Sequence, residues 1–164
     1  MNMQVKELSV EEVLSKYSEM VYRLAYARTK NKQDAEDITQ DVFLKYIRSA
    51  TDFRDEEHRK AWLLKVTTNT SKSVLTSAWA RHYAHMEELP EESSEIKDDS
   101  GVYDVVQNLP EKYRVVIQLY YYEELSIKEI AKVLTKKEST IKSLLRRGRD
   151  QLKNMLEEGE QYEF

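Results

Sequence analysis

The chain has 164 residues, 40% hydrophobic and 34% charged, which allows one or two small domains under a heavily charged surface. It has no cysteine, so disulfides, cysteine zinc sites and thiol catalysis are excluded, and three glycines with two prolines poorly supply tight-turned β folds or phosphate-cradling loops. No window approaches the roughly 18 to 20 apolar residues that cross a membrane, and Met1-Asn-Met-Gln-Val-Lys-Glu7 lacks a signal peptide's apolar run, so a soluble, cytosolic, all-α protein is expected.

In chain order, Ser9-Val-Glu-Glu12 is a candidate capping box opening a first helix. Val13, Tyr17, Met20, Val21 and Leu24 follow at helical spacing. Ala35, Ile38, Val42, Phe43 and Tyr46 form a second apolar stripe, with Asp34, Asp37, Gln40 and Asp41 off it. The polar segment Ser49–Arg59 reads as a loop. A third helix is expected over Lys60 to about Ala80, with Leu63, Val66, Thr70 and Val74 facing inward. Residues 87–101, rich in carboxylates with Pro90 and Gly101, read as a flexible acidic linker extended by self-repulsion. It divides a helical module at 1–86 from another at 102–164. In the second module, Pro110 suits a helix start, and Tyr113, Val116, Ile117 and Tyr120 supply a buried side. Ser126-Ile-Lys-Glu129 is another capping box, opening a short helix with Ile127, Ile130, Ala131 and Leu134 inward. After a few polar residues, Ile141, Leu144, Leu145, Leu152 and Met155 mark a final helix. Short helix, tight turn and longer cationic helix form the helix-turn-helix pattern.

The net charge of −4 hides a segregated distribution. Residues 126–156 carry nine cations against three carboxylates, while residues 87–100 carry seven carboxylates against Lys97. Such segregation suggests separate surfaces for separate partners. On a helical wheel the final helix turns Ser139, Ser143, Arg146 and Arg147 away from its apolar side, and Lys142, Arg146, Arg149 and Lys153 line a flank. A major groove admits one helix, so outward residues reach base edges while flank cations meet phosphates. The plainer alternative is an ordinary solvated helix face. Gly148 lies on the apolar side, where a missing side chain permits close helix packing. Asp34, Asp37 and Asp41 share one helical face, as a magnesium site would require, but no second acidic pair recurs on a credible helix. An acidic docking surface for a basic partner, or a solvated face, are the other readings. His82-x-x-His85 lacks further ligands, and the tyrosines of Tyr120-Tyr-Tyr122 read as core and interface.

These residues together resemble a family. Asp34-Ala-Glu-Asp-Ile-Thr-Gln-Asp-Val-Phe-Leu-Lys45 is similar to region 2.2 of bacterial RNA polymerase sigma factors. Phe53-Arg54, Ala61-Trp-Leu-Leu-Lys-Val66, Asn69 and Lys72 resemble regions 2.3 and 2.4. Leu109-Pro-Glu-Lys-Tyr-Arg-Val-Val116 resembles the opening of region 4. Leu125-Ser-Ile-Lys-Glu-Ile-Ala131, Thr140-Ile-Lys-Ser143 and Arg147-Gly-Arg149 resemble its helix-turn-helix. The short length points to the extracytoplasmic-function (ECF) group of the sigma-70 family.

The resemblance implies two small helical domains, region 2 and region 4, and a recognition factor that is no enzyme. It implies no cofactor, metal or small-molecule substrate, because the polymerase supplies the chemistry. Asp34, Asp37, Gln40 and Asp41 match the surface that docks on the β′ clamp helices of core polymerase, and region 4 implies a contact with the β flap. Phe53, Arg54, Arg59, Trp62, Lys65, Asn69 and Lys72 match the stretch that captures the melted minus-ten strand, Trp62 reading equally well as core. Ser139, Thr140, Lys142, Ser143, Arg146, Arg147, Arg149 and Lys153 fall on the helix that reads the minus-thirty-five duplex. An anti-sigma factor, often membrane-anchored, is the implied regulator, and would hold a cytoplasmic chain at the inner face of the membrane. Three departures stand out. Thr135-Lys-Lys137 replaces the usual Gly-hydrophobic-Ser turn and removes a serine N-cap worth about 1 kcal/mol, leaving Ser139 or Thr135 to cap instead. Arg146 stands where relatives often carry an apolar residue. Thr76-Ser-Ala-Trp-Ala80 is poor in arginine. The alternative function is a free-standing helix-turn-helix regulator that binds operators as a dimer.

Overall fold

The structure, a computed structural model, describes residues 8–84 and 101–162, with the backbone alone for 77–84 and 160–162. The chain divides into two compact units, Met1–Leu89 and Pro90–Phe164, and all regular structure among the described residues is helical. The acidic stretch at 87–100 and His85 lie outside the described residues.

The first unit is a three-helix bundle of α1 (Val10–Thr29), α2 (Lys32–Arg48) and α3 (Glu56–Ala84), each packed on the other two. The Ser9 hydroxyl accepts from the Glu12 N–H at 3.1 Å, half of the expected capping box. The other half is altered, because the Glu12 carboxylate accepts from the Ser9 hydroxyl itself. Val13, Tyr17, Met20, Val21 and Leu24 are all buried, as their spacing predicts, and Ala25, Tyr26 and Ala27 join them. Lys30 ends α1 in the left-handed region at φ 49°, and Asn31 caps α2 by accepting from the Asp34 N–H at 2.8 Å. The α2 stripe packs as expected, with Ala35, Ile38, Val42 and Phe43 buried and Tyr46 half-buried.

α3 differs from expectation in start and phase. It begins at Glu56 rather than Lys60, because the Asp55 carboxylate accepts from the His58 N–H at 2.7 Å and its carbonyl from the Arg59 N–H at 3.1 Å. Its buried positions are Arg59, Leu63, Leu64, Thr67, Thr68, Thr70 and Ser71, while Val66 and Val74 are only half-buried. Hydroxyls enter this core because the helix satisfies them. Thr67 donates to the Leu63 carbonyl, Thr68 to that of Leu64 and Ser71 to that of Thr67.

The second unit comprises α4 (Val102–Gln107), α5 (Glu111–Ile117), a wider π turn at Gln118–Tyr122, α6 (Ile127–Leu134) and α7 (Glu138–Tyr162). α4 escaped the sequence reading. It starts on Gly101 at φ 73°, a backbone conformation that glycine adopts without strain. Pro110 sits at the N-cap of α5, whose Tyr113, Val116 and Ile117 are buried as expected, with Tyr120 half-buried. The Ser126–Glu129 capping box forms in full. In the turn after α6, Thr135 adopts φ 54° and the Lys136 N–H reaches the Ala131 carbonyl at 2.9 Å, a six-to-one helix closure. The Lys137 carbonyl then accepts the first bond of α7 from the Ile141 N–H. Neither Ser139 nor Thr135 occupies the N-cap.

Ile141 and Leu145 are fully buried, and Leu144, Leu152 and Met155 half-buried. Gly148 is buried where α7 crosses α5. A methyl built there would lie 2.9 Å from Ile117 Cδ1 and 3.2 Å from Tyr113 Cβ. Gly148→Val is therefore expected to destabilise the second unit by about 2 kcal/mol through overpacking. Gly148→Ala should be nearly neutral, a helix-propensity gain of roughly 1 kcal/mol offsetting the displacement of Ile117. Urea denaturation of the two variants, followed by circular dichroism, measures the difference. Equal midpoints for valine and wild type would mean that α5 and α7 do not pack this closely.

Candidate functional site

Three surfaces carry the sequence-predicted residues. The first is the outer side of α2. Asp37 and Gln40 are exposed, and Asp34 and Asp41 half-buried, all opposite the stripe that packs inward. Asp37 accepts from Gln33 Nε2 at 3.0 Å, and Asp41 pairs with Lys45 at 3.1 Å. Lys45 also donates to Thr70 of α3 at 3.0 Å. The same face holds Leu44 and Ile47, 48% and 54% exposed. Sequence reasoning missed both, although at about 100° per residue each falls off the Ala35–Tyr46 stripe and beside Gln40 and Asp41. They place apolar surface in water on the same side of α2 as the carboxylates.

The second surface is an aromatic cluster at the start of α3. The Phe53 ring stacks on Tyr46 at 5.8 Å between centroids and meets Trp62 and His58 edge-on at 5.8 and 5.2 Å. Trp62 also meets Tyr46 edge-on at 5.9 Å. Phe53 and Trp62 are half-buried, so Trp62 is neither sealed in the core nor free. Arg54 is exposed, and its N–H donates to His58 Nδ1 at 3.1 Å. Lys65 is half-buried, and Asn69 and Lys72 are exposed. With Trp62 they fall on one side of α3, the last about 15 Å along the axis from the first.

Arg59 departs from expectation. It is only 6% exposed, paired with Glu56, and its guanidinium lies 5.2 Å from the Phe53 ring centroid. As placed, its guanidinium faces a carboxylate and a ring inside the unit rather than outward, where a strand contact was expected. Glu56 also accepts the Tyr17 hydroxyl and lies 3.5 Å from Lys16 Nζ. Burial pushes the Tyr17 hydroxyl above its ordinary pKa of 10.0, against the opposing charge of Arg59, so it remains a donor through the neutral range.

The third surface is α7. Ser139, Thr140, Lys142, Arg146, Arg147, Arg149 and Lys153 are exposed and Ser143 is half-buried. Arg149 Nε donates back to the Leu145 carbonyl at 3.3 Å, which draws its head toward its own helix. α6 packs on α7, giving the two-helix geometry in which the second helix is presented to a groove. Among the described residues no three His, Cys, Asp or Glu are grouped to hold a metal ion. No described helix is long and apolar enough to cross a membrane.

Comparisons with known proteins agree with this division. Residues 13–81 match the family described as Sigma-70 region 2, and residues 101–152 match Sigma-70, region 4. The chain is 30% identical over 163 residues to the ECF RNA polymerase sigma factor SigM of Bacillus subtilis, covering 93% of this chain and 98% of that protein. It is 32% identical over 162 residues to the ECF RNA polymerase sigma factor SigE of Mycolicibacterium smegmatis, covering 90% of this chain but 62% of that longer protein. In fold it is similar to the sigma factor RpoE of Bartonella quintana, solved with the anti-sigma factor NepR, at a TM-score of 0.69 and 19% identity over 90% of this chain and 96% of that one. Two helical units in the order region 2 then region 4, matched along nearly the whole of a known member, settle the family: the chain belongs to the ECF RNA polymerase sigma factors, which direct polymerase to specific promoters and are not themselves enzymes.

Proposed function

We propose that residues 1–86 dock on core polymerase and capture the minus-ten strand, that residues 87–101 are an acidic linker, and that residues 102–164 read the minus-thirty-five duplex. The single observation that carries the reading is the outer face of α2, where the exposed Leu44 and Ile47 follow Asp37, Gln40 and Asp41 on the same side of the helix. Apolar side chains beside acidic ones suit a contact with a partner that is both basic and apolar. Asp34 extends that face.

Strand capture falls to Phe53, Trp62, Lys65, Asn69 and Lys72, with Arg54 at the loop tip. Half-buried rings give unstacked bases a surface, and cations along α3 follow the phosphates. Ser143 and Arg147 are the base-facing residues of α7, with Arg146 beside them. Ser139, Thr140, Lys142, Arg149 and Lys153 position the helix on the backbone. A fold neighbour solved with the anti-sigma factor NepR supports a partner of that kind for this chain, which would act in the cytoplasm and be held at the membrane's inner face when that partner is anchored there.

Run-off transcription with purified core polymerase on genomic fragments tests the whole reading. Discrete transcripts that need both this chain and core are expected. A dimer that binds operators tightly without core would favour the stand-alone regulator. Within the docking face, Leu44→Ser with Ile47→Ser should weaken holoenzyme assembly by roughly tenfold to a hundredfold, as loss of an apolar centre does at other interfaces. Titration of labelled core with the double variant measures this. Unchanged affinity would remove both residues from the interface.

A further inference from the structure

We propose that Glu56 is a positioning residue for strand capture, acting on Phe53 through Arg59. The proposal rests on the assignment of the aromatic cluster to the melted strand. Glu56 is the first residue of α3, and both carboxylate oxygens are engaged. One accepts the Tyr17 hydroxyl of α1, with Lys16 beside it at 3.5 Å, and the other faces the Arg59 guanidinium. The group thereby ties α1 to α3 at the point where the loop between α2 and α3 ends.

Phe53 lies in that loop, outside any helix, so its ring is held only by what touches it. Three contacts are aromatic, from Tyr46, Trp62 and His58. Arg59 adds a charged one, its head packing 5.2 Å from the ring centroid. Arg59 is nearly sealed from water, and its Nε has no hydrogen-bond partner. A buried guanidinium with an unused donor stays in place only while a carboxylate compensates its charge. Neutralising Glu56 therefore frees Arg59 to leave for water, removes the charged contact on the ring, and lets the loop sample other positions. A flipped base then meets a platform that must be ordered during binding rather than before it.

Wild-type holoenzyme first selects a promoter fragment by run-off transcription. The probe is then a fluorescent single-stranded oligonucleotide carrying the non-template minus-ten strand of that fragment. Its affinity is measured for holoenzymes assembled with wild type, Phe53→Ala, Glu56→Gln, Arg59→Met and the Glu56→Gln/Arg59→Met pair. Because only assembled holoenzyme is assayed, unfolded chain drops out of the comparison. Phe53→Ala is expected to weaken the probe about tenfold or more, the loss of one stacking partner. Glu56→Gln and Arg59→Met should each weaken it by about tenfold at most, without altering affinity for core, and the pair should cost no more than the worse single change.

If Phe53→Ala leaves the probe bound normally, the aromatic cluster does not capture the strand and the underlying reading fails. If Phe53→Ala weakens binding while Glu56→Gln does not, or the two losses in the pair multiply, the role of Glu56 is refuted and the reading stands. A Glu56→Gln chain that cannot assemble with core also overturns the proposal, since Glu56 would then serve stability alone.

Discussion

Asp37→Lys combined with Asp41→Lys is expected to abolish assembly with core polymerase while leaving the first unit folded. Both carboxylates lie off the buried stripe of α2, so no core contact changes. The local cost is small. Asp41 loses its i,i+4 pair with Lys45, worth about 0.3–0.5 kcal/mol at this exposure. Asp37 loses one exposed hydrogen bond from Gln33. Across an interface with a basic partner the effect is far larger, because two attractions become two like-charge contacts that cost several kcal/mol. At about 1.4 kcal/mol per tenfold, affinity falls by roughly a thousandfold or more. Co-elution with core on a sizing column, beside a thermal melt of the free chain, reads both halves of the expectation. Normal co-elution with both charges reversed would show that this face of α2 is not the docking surface.

The second large effect is expected at Arg147. Its side chain is exposed, on the side of α7 away from Ile141 and Leu145. A bidentate arginine–guanine contact in the major groove discriminates between bases by roughly 1–3 kcal/mol. Arg147→Ala should therefore lower occupancy of the upstream element and relax preference at one base position. Lys153→Ala removes a phosphate contact instead, so binding should weaken evenly across sequences and the salt slope flatten by about one unit. Competition between singly substituted promoters, at two salt concentrations, separates the two. If base preference survives in Arg147→Ala and is lost in Lys153→Ala, the reading face has been assigned to the wrong side of α7. Neither substitution touches α2, so core affinity serves as the internal control.

Much of this was legible in the residues, for reasons that differ by element. α1, α2 and α6 pair a capping residue with an apolar stripe, and each forms where those two signals agree. α3 was misphased because its buried side contains threonines and a serine, which periodicity counts as polar. Only the carbonyl one turn back shows that they can enter a core. Its start was missed although Asp55-Glu-Glu-His58 contains an ordinary capping aspartate. α4 is too short for a period to register, and the π turn rests on local bonds one residue wider than those of an α-helix, such as Glu123 N–H to the Gln118 carbonyl, for which the apolar spacing carries no signal. In the candidate site, charge marked the α2 and α7 faces. The interior placement of Arg59 was less visible, since an arginine reads as surface until Glu56, three residues earlier, is counted as its partner. Leu44 and Ile47 were hidden for the opposite reason: apolar residues on a helix are assigned to its core before their phase is checked.

The scarcity of glycine has a consequence for how long the protein survives. Among the described residues four positions take a left-handed backbone; glycine fills one, Gly101, while Lys30, Glu124 and Thr135 fill the others at φ 49°, 58° and 54°. Each forgoes on the order of 1 kcal/mol relative to glycine, against a total stability of about 5–15 kcal/mol for a typical domain. Two of the three fall in the second unit, where the only buried glycine, Gly148, serves helix packing instead. Lower stability raises the fraction of time a unit is open to proteases, whereas any partner that binds only the folded form lowers it by mass action. Free chains are thus expected to be degraded faster than bound ones. The quantity of this protein in a cell then follows its occupancy by partners as well as its rate of synthesis.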